Sequence, residues 1–258
     1  MELTWWGTAG FRIKTQETIL LLDPYLSRNP EARPIQYLTP DNIGDGDMIF
    51  LSHGHFEHLL DVPAIAKKNG SMVFCSKEVG KTLLETGTKA DKIQEITVDG
   101  FEIQFHGNRA QAFFSKHVVF DRKLVIKTLW QAKLRLFKHL DLYINYPIGQ
   151  MLSWRFTIEN KVVHFFGSGG SPAEEMEKLA SRPTDILLVP LQGHSDICNI
   201  ALEYVHVMQP KIVIPHYYDD FYPPISSMID IEPFIKRVKQ ECPLTEVRTM
   251  ELNETVLL

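Results

Sequence analysis

Six consecutive residues, His53-Gly54-His55-Phe56-Glu57-His58, put three imidazoles and a carboxylate at one point of the chain. They follow residues 48–52, a short apolar run of buried-strand character, and precede residues 59–68, whose apolar side chains recur at helical spacing. The cluster therefore falls in the turn between a strand and a helix. In extended backbone, residues two apart project to the same side, so His53 and His55 can face one point while the turn carries Glu57 and His58 toward a second. Imidazole with carboxylate, and no cysteine nearby, suits zinc, manganese or iron and not a thiolate structural site. The pattern predicts a site for one or two metal ions, with Glu57 near a helix N-terminus where negative charge is stabilised.

The rest of the chain reads as two rounds of one plan. Residues 3–11, Ile13 and residues 18–22 read as two or three hairpin-connected strands, punctuated by Gly7, Gly10 and Asp23-Pro24. After the histidine-rich turn come a strand at 72–75, a helix at 77–85, and two alternating runs, 92–98 and 101–105, around Asp99-Gly100, a hairpin signal. The second round has strands at 153–159 and 162–166 around Asn160-Lys161, a helix at 172–180 and a strand at 185–190. A helix at 201–208 and a strand at 211–215 that ends at His216 complete it. Antiparallel strands followed by strand-helix units, twice over, predict an α/β fold of two mixed sheets packed face to face with helices outside. With 258 residues and 44% apolar content, a single domain over 1–258 is expected.

A formal net charge of -5 supplies no basic surface for nucleic acid and directs attention to a small-molecule partner. Cys75, Cys198 and Cys242 are odd in number and lack close spacing, so neither a disulfide framework nor a thiolate metal knuckle is expected. The opening residues lack the features of a secretory signal, and no run of about 18 apolar residues occurs, so a cytoplasmic protein is expected. Residues 122–146 stand apart as an insert. Ile126, Leu129, Trp130, Leu134, Phe137, Leu140 and Ile144 fall at three-and-four spacing, and Lys127, Lys133, Arg135 and Lys138 add cationic character. Such a helix either packs on the core as an ordinary amphipathic helix or caps the site, touching an anionic or lipid-like substrate or a membrane surface.

The histidine-rich segment resembles the His-x-His-x-Asp-His signature of the metallo-β-lactamase-fold hydrolases, with Glu57 standing where Asp is usual. Residues 20–24 resemble that family's early strand-ending aspartate, here Asp23, and Ile214-Pro215-His216 resembles its closing strand and histidine. Within the family the chain is most similar to the lactonase-like branch. The resemblance implies a four-layer αβ/βα sandwich with the site at one edge of the sheets. It further implies that His53, His55 and a mid-chain histidine hold a first metal, with His117 the candidate and His106 the alternative. Glu57, His58 and His216 would hold a second, Glu57 would also orient the attacking water, and Asp23 would fix an imidazole by hydrogen bond. Where the family usually has Gly-Asp, whose carboxylate bridges both metals, this chain has Gly167-Ser168. A neutral hydroxyl brings no charge to hold two dications, so a weaker, absent or different second ion is expected.

His194, in Gly193-His194-Ser195-Asp196 after the strand at 185–190, is a further candidate to enter the cavity and stabilise an oxyanion. The expected activity is hydrolysis of an ester, lactone or phosphodiester of a small molecule, because a catalytic zinc lowers the pKa of its water from about 15.7 to about 7 and makes hydroxide available. The alternatives are a phosphodiesterase or phospholipid hydrolase, with a phospholipid or a nucleotide as substrate, and a metal-binding regulatory protein with reduced turnover.

Overall fold

The computed structural model of the chain describes residues 1–132, 140–170 and 173–258. The first half runs β1 (Glu2–Trp5), β2 (Phe11–Lys14), β3 (Ile19–Leu22), β4 (Met48–Phe50), α1 (Phe56–Leu59), α2 (Val62–Asn69), β5 (Met72–Ser76), α3 (Lys77–Glu85) and β6 (Ile93–Ile96). The second half begins β7 (Phe101–Phe105), β8 (Asn108–Ser115), α4 (Arg122–Ala132), α5 (Leu140–Asn145), β9 (Met151–Ile158), β10 (Lys161–Phe166) and α6 (Ala173–Ala180). It continues through β11 (Ile186–Pro190), α7 (Ile197–Met208), β12 (Ile212–His216), α8 (Glu232–Glu241), β13 (Glu246–Val247) and β14 (Thr255–Leu257).

The strands form two seven-stranded sheets, ordered β14-β1-β2-β3-β4-β5-β6 and β13-β12-β11-β10-β9-β8-β7. Both are mixed: β1 to β3 are antiparallel, β3 to β6 parallel, and β7 to β10 are antiparallel, β10 to β13 parallel. Strand alternation sorts each sheet's residues between two faces. Leu20, Leu22 and Phe50 point into the central core against Trp154, Phe156 and Phe165 of the other sheet. Their neighbours Leu21, Ile49 and Leu51 point outward onto Val62 and Ile65 of α2 and Val79 and Leu83 of α3. On the far side, Leu187, Val189 and Val213 meet Leu202 and Val205 of α7 and Phe234 and Val238 of α8. The result is the four-layer sandwich expected, helices outside both sheets.

Several local expectations are corrected. Asp99-Gly100 does not close a hairpin, because β6 is the edge strand of one sheet and β7 the edge strand of the other, so this turn is a crossover between layers. The hairpin lies one strand later, where Phe105 pairs with Asn108 across His106-Gly107. That turn carries His106, whose exposed ring sits 3.8 Å from Glu17, and it is therefore removed from the histidine-rich turn. The helix expected at 59–68 is two pieces, α1 and α2, and the C-terminal strand β14 pairs antiparallel with β1, Leu3 opposite Val256. The expected 122–146 helix is described as α4 and α5; Lys133, Leu134, Arg135, Phe137 and Lys138 lie outside the described residues, as does Pro172. Among the described residues, no helix is long and apolar enough to cross a membrane.

Candidate metal centre

Five of the candidate residues stand at or just beyond the C-terminal ends of strands. Asp23 follows β3, His53 follows β4, His117 follows β8, Ser168 follows β10, and His216 ends β12. In sheets with parallel segments this end is where loops from neighbouring strands converge.

The turn after β4 brings the ligands in close. His55 is the residue before α1, in extended backbone (φ -58°, ψ 148°), and Glu57 and His58 occupy the helix's first turn. Gly54 is required there by space: a Cβ on it would overlap the Pro147 carbonyl oxygen, and its N–H donates to the Ile148 carbonyl at 2.9 Å. The segment leaving α5 is thereby clamped against the His53-to-His55 turn.

Among the described residues two groups of donor atoms gather, each within 4.8 Å of one another: His53, His55 and His117, and Asp23, His53 and His58. The first is the set that the resemblance implied for one ion. Burial pushes all three of its imidazoles toward the neutral form, His53 well below the ordinary value and His55 and His117 to about 4, with the neighbouring imidazoles adding to the effect. Their ring lone pairs are therefore available at neutral pH.

Tautomers follow from the partners. The Val118 carbonyl can only accept, so the 2.7 Å contact to His117 Nδ1 makes that nitrogen the donor and leaves Nε2 bare. Ser52 Oγ donates its one proton to Asp23 Oδ2 at 2.5 Å and therefore accepts from His53 Nδ1 at 2.9 Å, which leaves His53 Nε2 without a proton, 3.2 Å from His55 Nδ1. His58 Nδ1 donates to Asp23 Oδ2 at 2.7 Å. Asp23 also accepts the Ser52 backbone N–H at 2.8 Å, which fixes the carboxylate. Gly167 makes room for this arrangement, since a Cβ there would overlap Ser52 Oγ and stand 2.9 Å from Asp23 Oδ2.

The second set departs from the expectation. Among the described residues His58 is gathered with Asp23 and His53, while Glu57 and His216 join no equally tight group, because His58 turns its Nδ1 to Asp23. Fully buried His58 Nε2, both ring nitrogens of His216 and Glu57 Oε2 nevertheless have no hydrogen-bond partner among the described residues. His216 lies between the rings of Phe11 and Phe165, at 5.2 and 5.6 Å, and burial pushes its pKa down to about 3. Unsatisfied buried nitrogens of this kind are costly unless a ligand takes them, so this donor set fits a cation.

Tyr217, next to His216, donates its hydroxyl to Glu57 Oε1 at 2.7 Å. Its backbone is in the left-handed region (φ 62°), uncommon for a bulky residue. Its N–H bonds the Thr8 carbonyl at 2.9 Å, and the Thr8 N–H in turn bonds Asp219, which pairs with Arg28 in the interior. Ser168 Oγ accepts the Val118 N–H at 3.0 Å, tying the loop after β10 to the segment that presents His117. His194 is placed differently from expectation: its Nδ1 accepts the Asp196 N–H at 3.0 Å in its own turn, and its neighbour Gly193 lines the cavity instead. The turn's hydrogen bonding holds the ring locally.

His55, Glu57, His117, Ser168 and Tyr217 form the polar floor of a cavity of about 260 Å³. Leu124, Val125 and Leu129 of α4 and Phe221 and Ile225 opposite supply apolar walls. Cys75, Cys198 and Cys242 are free, and none lines it.

Comparison with known proteins agrees with this architecture. A UPF0173 metal-dependent hydrolase from Methanopyrus kandleri is 26% identical over 259 residues, covering 99% of each chain. Among solved structures, Igni18, a metallo hydrolase from Ignicoccus hospitalis, superposes with a TM-score of 0.69 at 19% identity, covering 99% of this chain and 97% of that one. The isothiocyanate hydrolase from Delia radicum gut bacteria gives 0.70 at 13% identity, over 100% and 99%. The family model for the beta-lactamase superfamily domain matches residues 2–217, from β1 through His216 at the end of β12 and Tyr217 after it, and the chain belongs to that superfamily.

Proposed function

We propose that the chain is a metal-dependent hydrolase acting on an ester, lactone or phosphodiester bond of a small molecule. The observation that carries the reading is the convergence of three neutral imidazoles, His53, His55 and His117, on one point at the floor of a largely apolar cavity. A zinc ion, or manganese or iron, would polarise the scissile group there and bring the pKa of water toward about 7.

The chain's own residues have separable roles in this reading. His53, His55 and His117 hold the first ion, with Ser52 and the Val118 carbonyl keeping two of the rings in the binding tautomer. His58, through Nε2, and His216 are the remaining nitrogen donors for a second ion. Glu57 is fixed at Oε1 by Tyr217, which leaves Oε2 to take a proton from the attacking water. Ser168 supplies a hydroxyl where a bridging carboxylate would strengthen the second position. The apolar walls restrict water to the polar floor, which strengthens electrostatic interactions at the reacting centre. Names of relatives support the same class, since both the archaeal protein and its structural counterparts are called hydrolases. Lactones are the narrower substrate group suggested by the sequence resemblance.

Within the proposed range of bonds, Lys127 on the cavity wall favours a phosphodiester substrate whose anionic oxygens face that ammonium. A panel of chromogenic esters, lactones and phosphodiesters, assayed with zinc, manganese and iron, separates these from a regulatory metal-binding protein, which would hydrolyse none of them. His55→Ala is expected to abolish both turnover and metal uptake. Full activity of that variant without bound metal would refute the proposal.

A further inference from the structure

The segment between β8 and β9 leaves an unusual surface. Val119, Phe120, Ile126, Leu129, Trp130 and Ile144 are all exposed, Val119 by 80%, Trp130 by 77% and Ile144 by 73%. On α4 the arrangement has two sides. Leu124 and Thr128, one turn apart, are half-buried and line the cavity, whereas Ile126 and Trp130, also one turn apart and offset by two residues, stand on the opposite side. Arg122 and Lys123 flank that outer stripe and are exposed. Asp121, the single carboxylate in residues 116–132 of the sequence, is engaged by the Ser195 backbone N–H at 2.9 Å and its hydroxyl at 2.8 Å.

Charge separates this segment from the rest of the molecule. Residues 116–139 contain seven of the chain's 27 Lys and Arg and one of its 32 Asp and Glu, in a protein whose net charge is -5. A cationic stripe beside exposed Trp and Ile matches the composition of helices that lie in a bilayer interface, where indole sits at headgroup level and Lys and Arg meet anionic lipid. Among the described residues no helix is long and apolar enough to span a bilayer, so the contact is peripheral.

We infer that α4 and the residues leading into it dock on an anionic phospholipid surface, placing the cavity mouth there to receive an amphiphile whose apolar chain lies against Leu124, Val125 and Leu129. The docking stands on α4's two faces alone; the substrate class rests on the hydrolase reading above. The same helix presents one stripe to lipid and the other to the cavity, so a substrate leaving the bilayer stays against apolar side chains while its polar head approaches the histidine cluster.

Sedimentation with vesicles of phosphatidylcholine alone, or with about one-third phosphatidylserine, tests the docking. The full chain is expected to bind the anionic vesicles, more weakly at high salt, and to bind neutral vesicles poorly. Ile126→Asp with Trp130→Asp, and separately Arg122→Glu with Lys123→Glu, should each weaken binding at least about tenfold. These side chains do not line the cavity, so metal uptake and hydrolysis of a soluble ester should be unchanged in both variants. Trp5, Trp6 and Trp154 are buried and Trp130 is exposed, so anionic vesicles should blue-shift emission in the wild type but not in Trp130→Phe. Absence of binding, or binding unchanged in both double variants, overturns the inference. So does a Trp130 shift that tracks protein concentration and dimer mass without vesicles, which would make a second copy the occupant. Failure of the soluble-substrate panel would instead strike the hydrolase reading and leave the vesicle result standing.

Discussion

Asp23 Oδ2 accepts from His58 Nδ1 at 2.7 Å and from Ser52 Oγ at 2.5 Å, so one carboxylate sets the tautomer of His58 directly and of His53 through a hydroxyl. In a neutral ring a proton held at Nδ1 leaves Nε2 as the nitrogen with the free lone pair, the form a metal requires. Groups in this position behind metal-binding histidines are worth about 10- to 100-fold in metal affinity. Asp23→Asn keeps the size but places an amide where two donors need an acceptor. Competition with a chelating dye should show affinity lower by about that factor, and an unchanged affinity would remove Asp23 from the role.

Gly167 gives a steric version of the same test. A methyl group there would overlap Ser52 Oγ and crowd Asp23 Oδ2, and both neighbours stand at the ends of adjacent strands, β4 and β3, of the opposite sheet, where they are hydrogen-bonded to each other. Gly167→Ala should destabilise the fold by about 1–3 kcal/mol, as overpacking does, and should lower metal affinity more than a cavity-wall substitution such as Ile225→Ala. Urea midpoints and dye competition on the two variants check this. Equal metal affinity in both would mean the Asp23-Ser52-His53 chain tolerates displacement.

What could be seen in the chain beforehand depended on whether the information was local. His53, His55 and His58 are dense in sequence, and Asp23 ends an apolar strand run, so each was visible as a candidate. Ser52 and Gly167 were not, because their roles arise only where β4 and β10, from opposite sheets, bring Gly167 against Ser52. Asp99-Gly100 misled for a related reason: the same turn chemistry serves a hairpin and a crossover, and only the partners of β6 and β7 distinguish them. His194 followed a strand end as a ligand would, but ring direction is decided by the Asp196 N–H two residues on. Helix α8, with Phe234 and Val238 facing the core, carried no expectation, and neither did the pairing of β14 with β1, which is set by contacts across the whole chain length.

Ser168 sits in the cavity beside His117, at the position where the family resemblance places a metal-bridging aspartate. Its hydroxyl accepts the Val118 N–H, a bond that a carboxylate can also accept. Ser168→Asp therefore keeps the local anchor and adds a negative charge next to the histidine cluster. Zinc titration followed by elemental mass spectrometry should show a tighter second ion, and turnover should change along with the stoichiometry. The same stoichiometry and affinity in the variant would place the second position beyond reach of residue 168.

Away from the metal cluster, His164 offers a test of how burial couples to pH. Its ring is fully buried, with Nε2 3.3 Å from Ser153 Oγ, and burial, reinforced by the charges of Arg155 and Arg182, pushes its pKa down to about 3. Above pH 6.5 the ring is neutral both folded and unfolded, so it makes no difference to stability there. As pH falls from 6.5 toward 3 the unfolded chain takes a proton that the folded chain refuses, and stability drops by up to about 1.4 kcal/mol per pH unit. His164→Gln retains a hydrogen-bonding side chain and removes this titration. In chelator-treated protein, urea midpoints measured between pH 7.5 and 4.5 should therefore fall more steeply for the wild type than for the variant, by about one proton's worth of slope. Parallel slopes would mean that the folded protein accommodates a charged ring at position 164, and that acid sensitivity resides in the other buried histidines.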